Sequence, residues 1–268
     1  MTDLKSKVPR MFLTFSLVLS LMLGFTLSSF ANTFCVNTAT ELETALARAA
    51  NNGENDEIRI VQGTYVGNFV YSGSENSNLI IKGGYGKNCS SRVIEPSNTV
   101  LDGNGMGATL VLTVEQVVYW SVDGITVQNG KASNAHGGFY MRTSGGAVTV
   151  SNSIIERNTT INDGGGVYVK SGVVTFTNNT ITNNTASSDG GGAYIETPYY
   201  GVVTFTNNII SGNTSFFCGG VYVHAPYGTV TFTNNAITGN TSATGKGVNV
   251  HAPYGTVIFT NNRWSPKL

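Results

Sequence analysis

The chain has 268 residues, 15 Lys+Arg against 15 Asp+Glu, and only 11% charged residues, where a soluble domain usually carries about 25%. Gly (33), Thr (33) and Asn (29) together fill about a third of it. Without clustered Lys/Arg it is not a nucleic-acid binder. Without dominant Ala, Glu, Lys and Leu it is not a coiled coil. A 40% hydrophobic content at zero net charge supports a packed core rather than disorder.

In chain order, Lys5, Lys7 and Arg10 precede an uncharged apolar stretch, Met11 to Phe30. The stretch closes on the small-x-small pattern Ser29-Phe30-Ala31, so residues 1–31 read as a signal peptide cut after Ala31. A membrane anchor is the alternative for the same stretch. Cleavage removes three positive charges and one negative, leaving a mature net charge of −2. Export implies an oxidising compartment. Of the three cysteines, Cys35 and Cys89 share the N-terminal third and are expected to pair. Cys218 then remains as a small buried space-filler.

Thr38-Ala-Thr-Glu41 has the form of a capping box. Leu42, Ala45, Leu46 and Ala49 follow at helical spacing and Gly53 stops the run, which predicts an amphipathic helix over residues 39–51. Residues 32–55 thus form a segment that caps the strands beyond it. Ile58–Val61, Leu79–Lys82, Val100-Leu101 and Leu110–Leu112 are short runs of period 2, read as strands.

The second half repeats. Five segments start at Val148, Val174, Val203, Val230 and Val257, mostly of the form Val-Thr-Phe-Thr-Asn, with steps of 26, 29, 27 and 27. Before each lies a Gly-x-Tyr-type strand (Gly138, Gly166, Gly192, Gly220, Gly247), and after the first four an Ile-x-x-Asn strand (Ile155, Ile181, Ile210, Ile237). Such strands are too short to bury a face alone. Stacking one coil on the next supplies the core. The prediction is an all-β parallel β-helix over residues 56–268, with three strands per coil and about eight coils. Val167, Val169, Val174, Phe176 and Ile181 should face inward, and Tyr168, Thr175 and Thr177 outward. Asn178, Asn207, Asn234 and Asn261 should form a side-chain ladder. The sequence stops inside what the period would make another coil. Trp264 falls where Ile237 sits and would close the core, and Pro266 would block further pairing; a truncated chain is the other reading.

The Gly-Gly-x-Tyr and Phe-x-x-Asn pairs resemble the repeats of bacterial polymorphic outer-membrane proteins. Leu101-Asp-Gly-Asn-Gly105 and Val122–Gly130 are similar to the early coils of pectate-lyase-like right-handed β-helices. The resemblance implies a right-handed solenoid. It leaves function open, since lyases, hydrolases, adhesins and spikes share that fold. No run of alternating barrel strands follows the repeat, so an autotransporter-like anchor is expected elsewhere, if anywhere.

Three surface features are candidates for function. Arg142, Lys170, Glu196, His224 and His251 align on successive coils, beside an exposed ladder of Tyr199, Tyr227 and Tyr254 in Pro-Tyr loops. Aromatic faces flanked by polar groups suit sugars or a protein partner. The expectation is therefore a secreted or cell-surface, non-enzymatic adhesive module that binds glycan or protein through Tyr199, Tyr227, Tyr254, His224 and His251. The alternative is a polysaccharide lyase or hydrolase working through Asp102, Asp123, His136 and Arg142, since such chemistry needs paired carboxylates or a basic residue with calcium. A third, minor reading is ice binding by the outward grid of Thr175/Thr177, Thr204/Thr206 and Thr231/Thr233. Asp163 and Asp189 read as turn caps. No cofactor or metal site is expected, with calcium tied to the enzyme alternative alone, and no membrane span is expected in the mature chain.

Overall fold

The computed structural model describes residues 32–133, 137–244 and 246–265; the predicted signal peptide, His136 and Pro266 lie outside them. The chain winds into a parallel solenoid of about eight coils. Three sheets form its long faces. One has nine strands, from Asn32–Val36 to Thr256–Thr260, and carries the Thr-x-Thr pattern. The next has eight, from Gly63–Val66 to Arg263–Ser265, and carries the Ile-x-x pattern. The third has seven, from Phe69–Gly73 to Lys246–His251, and carries the tyrosines. We call them the threonine, isoleucine and tyrosine faces. These three faces are the three strands per coil that the repeat predicts. A fourth ladder of two-residue strands, Lys131–Ala132 to Thr241–Ser242, runs between the isoleucine and tyrosine faces.

Strand alternation puts one side of each face into the lumen. Val167, Val169, Val174, Phe176 and Ile181 are wholly buried there. Equivalent side chains stack on one another: Phe176, Phe205 and Phe232 lie with ring centroids 4.9 and 4.8 Å apart, nearly parallel. In the first coils larger rings fill the lumen, with Tyr71 edge-on to Trp120 at 5.5 Å.

The two corners that flank the isoleucine face follow one rule. A residue with positive φ turns the chain, and the next residue points inward. Asn152, Asn178, Asn207, Asn234 and Asn261 are the left-handed residues between the threonine and isoleucine faces. Asn tolerates this region better than other residues with a side chain. The inward ladder therefore consists of Asn179, Asn208, Asn235 and Asn262, one residue later than the sequence pattern suggested. The αL step reverses which side of the chain faces the core, so the second Asn of each pair is the buried one. Asn208 Oδ1 accepts from the backbone N–H (2.9 Å) and the Nδ2 (3.1 Å) of Asn179. Asn208 Nδ2 donates to the Phe176 carbonyl at 2.9 Å. A second ladder, Asn158, Asn184, Asn213 and Asn240, repeats the scheme at the next corner. The glycines facing it are required by close approach: a Cβ on Gly166 would lie 2.8 Å from Asn184 Nδ2 and 2.6 Å from the Gly192 carbonyl.

The N-terminal end is closed by helix α1, Ala39–Ala49, two residues shorter than predicted. Thr38 caps it by accepting from the Glu41 N–H, and Leu42, Ala45, Leu46 and Ala49 bury their face on the first coils. A Cys35–Cys89 disulfide ties the first strand to the loop after the third coil strand of the threonine face, with Cα atoms 5.9 Å apart. Cys218 is buried. At the far end, Trp264 pairs with Ile237 and packs partly against the core. Among the described residues no helix is long and apolar enough to cross a membrane.

Candidate functional site: a tyrosine–histidine ribbon

The corner between the tyrosine and threonine faces differs from the others. One coil turns it with Ser171-Gly172 alone, between Lys170 and Val173. The following coils carry Pro-Tyr loops there: Thr197-Pro198-Tyr199-Tyr200-Gly201, then Ala225-Pro226-Tyr227-Gly228, then Ala252-Pro253-Tyr254-Gly255, similar in length to the turns of earlier coils at residues 115–118 and 143–146. In the last two the glycine N–H returns to the alanine carbonyl, at 3.0 and 3.1 Å, closing β-turns with Pro at the second position. The first loop is one residue longer, and Tyr200 takes φ 58° in it. Positive φ in a bulky side chain costs on the order of 1–3 kcal/mol and is held only where surrounding structure enforces it.

These loops project four tyrosines. Tyr199 and Tyr200 are each 79% exposed, Tyr254 73% and Tyr227 39%. Tyr227 and Tyr254 stack at 5.0 Å with 16° between planes. Tyr199 and Tyr200 flank Tyr227 at 5.8 and 5.9 Å. The expectation of sugar-facing aromatic faces changes here. Stacking turns the ring faces toward each other, so a lateral partner meets ring edges and hydroxyls.

Beside this ribbon, Arg142, Lys170, Glu196, His224 and His251 occupy one register line on the tyrosine face. Lys170 Nζ donates to Glu196 Oε1 at 2.6 Å, and the Tyr168 hydroxyl donates to Oε2 at 3.0 Å. Burial disfavours the Glu196 carboxylate, yet these two donors outweigh it and hold its pKa below the usual value. Tyr168 is outward, as the strand alternation predicts, and yet buried. It points away from the lumen, but it lies between Tyr140 and Tyr194, at 5.4 and 5.2 Å, and is buried by them. Burial, then Glu196, raises its pKa. This second stack, Tyr140-Tyr168-Tyr194-Tyr222, escaped the sequence reading although its spacing was visible there.

Of the residues named for the enzyme alternative, the three that are described do not converge. Asp102 lies on the isoleucine face, Asp123 on the threonine face and Arg142 on the tyrosine face. Asp102 accepts from Gln128 Nε2 and Asn129 Nδ2 at 2.7 and 2.8 Å, at the rim of an open cleft of about 410 Å³ shared with Lys131 and Arg157. Asp123 pairs with Arg92 and accepts from Ser151 and Asn152. Burial opposes its charge, but these donors win and its pKa falls. Arg142 pairs with Glu115 at 3.0 Å. Asp163 Oδ1 accepts from the Asp189 N–H at 3.0 Å, which is turn capping from coil to coil. Among the described residues no group of three or more His, Cys, Asp or Glu is arranged to hold a metal.

Coils that stack in register, bound by inward asparagines and bearing one decorated corner, define a parallel β-solenoid. The family model described as "right handed beta helix region" matches residues 87–264, about two thirds of the chain. The chain belongs to that right-handed β-helix family. No curated protein and no solved structure matches it.

Proposed function

We propose that this chain is an exported, non-enzymatic β-helix module that holds an extended glycan along its tyrosine–histidine ribbon. The observation that carries this reading is the recurrence of Pro-Tyr in three successive loops at one corner. Earlier coils turn the same corner without Pro-Tyr, at residues 115–118, at residues 143–146 and at Ser171-Gly172, so the projecting tyrosines serve something other than the turn. They place a run of hydroxyl-bearing edges at about one coil rise, a periodic surface suited to a periodic partner lying along the axis. The Cys35–Cys89 bond supports an oxidising compartment, as the apolar N-terminal stretch does. The spread of Asp102, Asp123 and Arg142 over three faces supports a binding role over hydrolysis or lysis. The threonine grid is in register from Thr175 to Thr231, but Ile258 ends it one coil later.

A glycan array with the wild-type protein and a Tyr227→Ala/Tyr254→Ala double variant tests this. The expected result is binding to one class of linear glycan, lost in the variant with its melting temperature nearly unchanged. A protein partner captured through the same ribbon would replace the glycan. Turnover of polygalacturonate with calcium would overturn the non-enzymatic reading.

A further inference from the structure

On the threonine face, five successive strands carry no ionisable residue: Ala147–Ser151, Val173–Thr177, Val202–Thr206, Thr229–Thr233 and Thr256–Thr260. Earlier strands of the same face carry Glu57, Arg59, Lys82 and Asp123. Thr175, Thr204 and Thr231 pair in register down one outward column, and Thr177, Thr206 and Thr233 down the next, with no bulge between them. Equivalent side chains then repeat at about 4.8 Å across strands and about 6.6 Å along one. The face is also flat. Adjacent strands ordinarily twist by about 20–25°, yet the rings of Phe176, Phe205 and Phe232 beneath it depart from parallel by only 6° and 5°.

Outward hydroxyls elsewhere on the solenoid find protein partners. Thr182 Oγ1 donates to the Ser211 carbonyl at 2.9 Å, and Thr214 and Thr241 share a hydrogen bond at 3.1 Å. The six hydroxyls of the grid bond to no described residue. Branching at Cβ restricts χ1 of each threonine, so a hydroxyl and a methyl recur at fixed places on every strand. Val173 and Val202, each 40% exposed, add methyls at the same period. A lattice of water matches this array in both charge and period: it is neutral, and the oxygen repeats on the prism faces of hexagonal ice lie close to the two spacings. The hydroxyls can anchor lattice waters, while the methyls border the waters between them without drawing hydrogen bonds from the lattice. A charged side chain would orient water around itself and break that order. We propose that the threonine face from Val173 to Thr233 is an ice-binding surface. Ile258, one strand further, offers methyls without the hydroxyl and marks the edge of the grid. The proposal is independent of the glycan reading, because it uses none of the ribbon's side chains.

Nanolitre osmometry on the purified protein tests it, read as the gap between melting and freezing points and as the shape of the crystals. Faceted crystals and a gap that grows with protein concentration are expected. Thr206→Tyr, whose ring rises above the grid, should abolish most of the gap, and Ile258→Thr, which extends the grid by one strand, should widen it. Tyr227→Ala should leave the gap unchanged, and circular dichroism should show every variant folded. A second copy of the chain is the other partner that suits a flat neutral face. A dimer in sedimentation that Thr206→Tyr dissolves, with no gap in the wild type, would overturn the proposal. Round crystals without a gap, a gap that Thr206→Tyr leaves whole, one that Ile258→Thr fails to widen, or one that Tyr227→Ala removes would also overturn it.

Discussion

The two halves of the solenoid solve the same problem with different chemistry. From Asn152 on, coils are nearly identical, and two asparagine ladders tie each corner to the next with almost no ionised groups. Before Gln128, loops are longer and corners irregular. Helix α1, the disulfide, buried Tyr71 and Trp120, and ion pairs such as Glu57–Arg59, Glu57–Lys82 and Asp123–Arg92 hold that half together. The lesson is that a repeated neutral hydrogen bond can do in one region what singular covalent and charged contacts do in another. The two halves should then fail under different stresses.

The largest effect should come from breaking a ladder rung. Asn208→Ala leaves the Asn179 N–H, the Asn179 amide and the Phe176 carbonyl without their buried partner. At about 1–3 kcal/mol per stranded group, less whatever relaxation recovers, the loss should reach about 3–5 kcal/mol in denaturant melts. Asn207→Ala, at the exposed αL position beside it, should cost far less. If the two substitutions cost the same, the ladder has no special weight. Next, reducing Cys35–Cys89, whose partners are 54 residues apart, should cost about 2–4 kcal/mol. Because each coil contacts mainly its neighbours, proteolysis after reduction should cut before Gln128 and spare the coils beyond Asn178. Cleavage spread evenly would erase the contrast.

The smallest effect is the pH dependence carried by Asp123 in the first half. Asp123 has a lowered pKa in the folded chain, against about 3.9 in an unfolded one. Its ionised form therefore adds stability above that unfolded value, and the contribution disappears as pH falls through the lower folded one. Asp123→Asn should cost about 1–3 kcal/mol at neutral pH. The gap between variant and wild type in thermal melts should close in acid. A gap that persists unchanged at low pH would mean that charge is not what Arg92 and Ser151 recognise.

Much of the fold was legible. The Val-Thr-Phe-Thr-Asn segments gave the period, the strands and the inward Val and Phe side chains, because alternation and recurrence are both properties of the chain. Which asparagine of each pair turns inward was not legible. Asn178 and Asn179 have the same side chain, and only the αL dihedral of the first decides which faces the lumen. The burial of Tyr168 depends on Tyr140 and Tyr194, rings on the neighbouring coils that the strand pattern treats as outward. At the candidate site, the Pro-Tyr recurrence and the His224/His251 register were readable, while the edge-out orientation of the rings was not. The pairing of Asp123 with Arg92 across an irregular loop left no pattern to find.

The central claim is that inward asparagines hold the regular half together, and native-state hydrogen exchange tests it most directly. The account predicts that the backbone amides of Asn179, Asn184, Asn208 and Asn213 are among the slowest in the protein. In Asn208→Ala, protection should collapse at Asn179 and in the adjoining coils while the first half keeps its own. Turn-like exchange at these amides in the wild type, or a collapse shared equally by both halves, would contradict it.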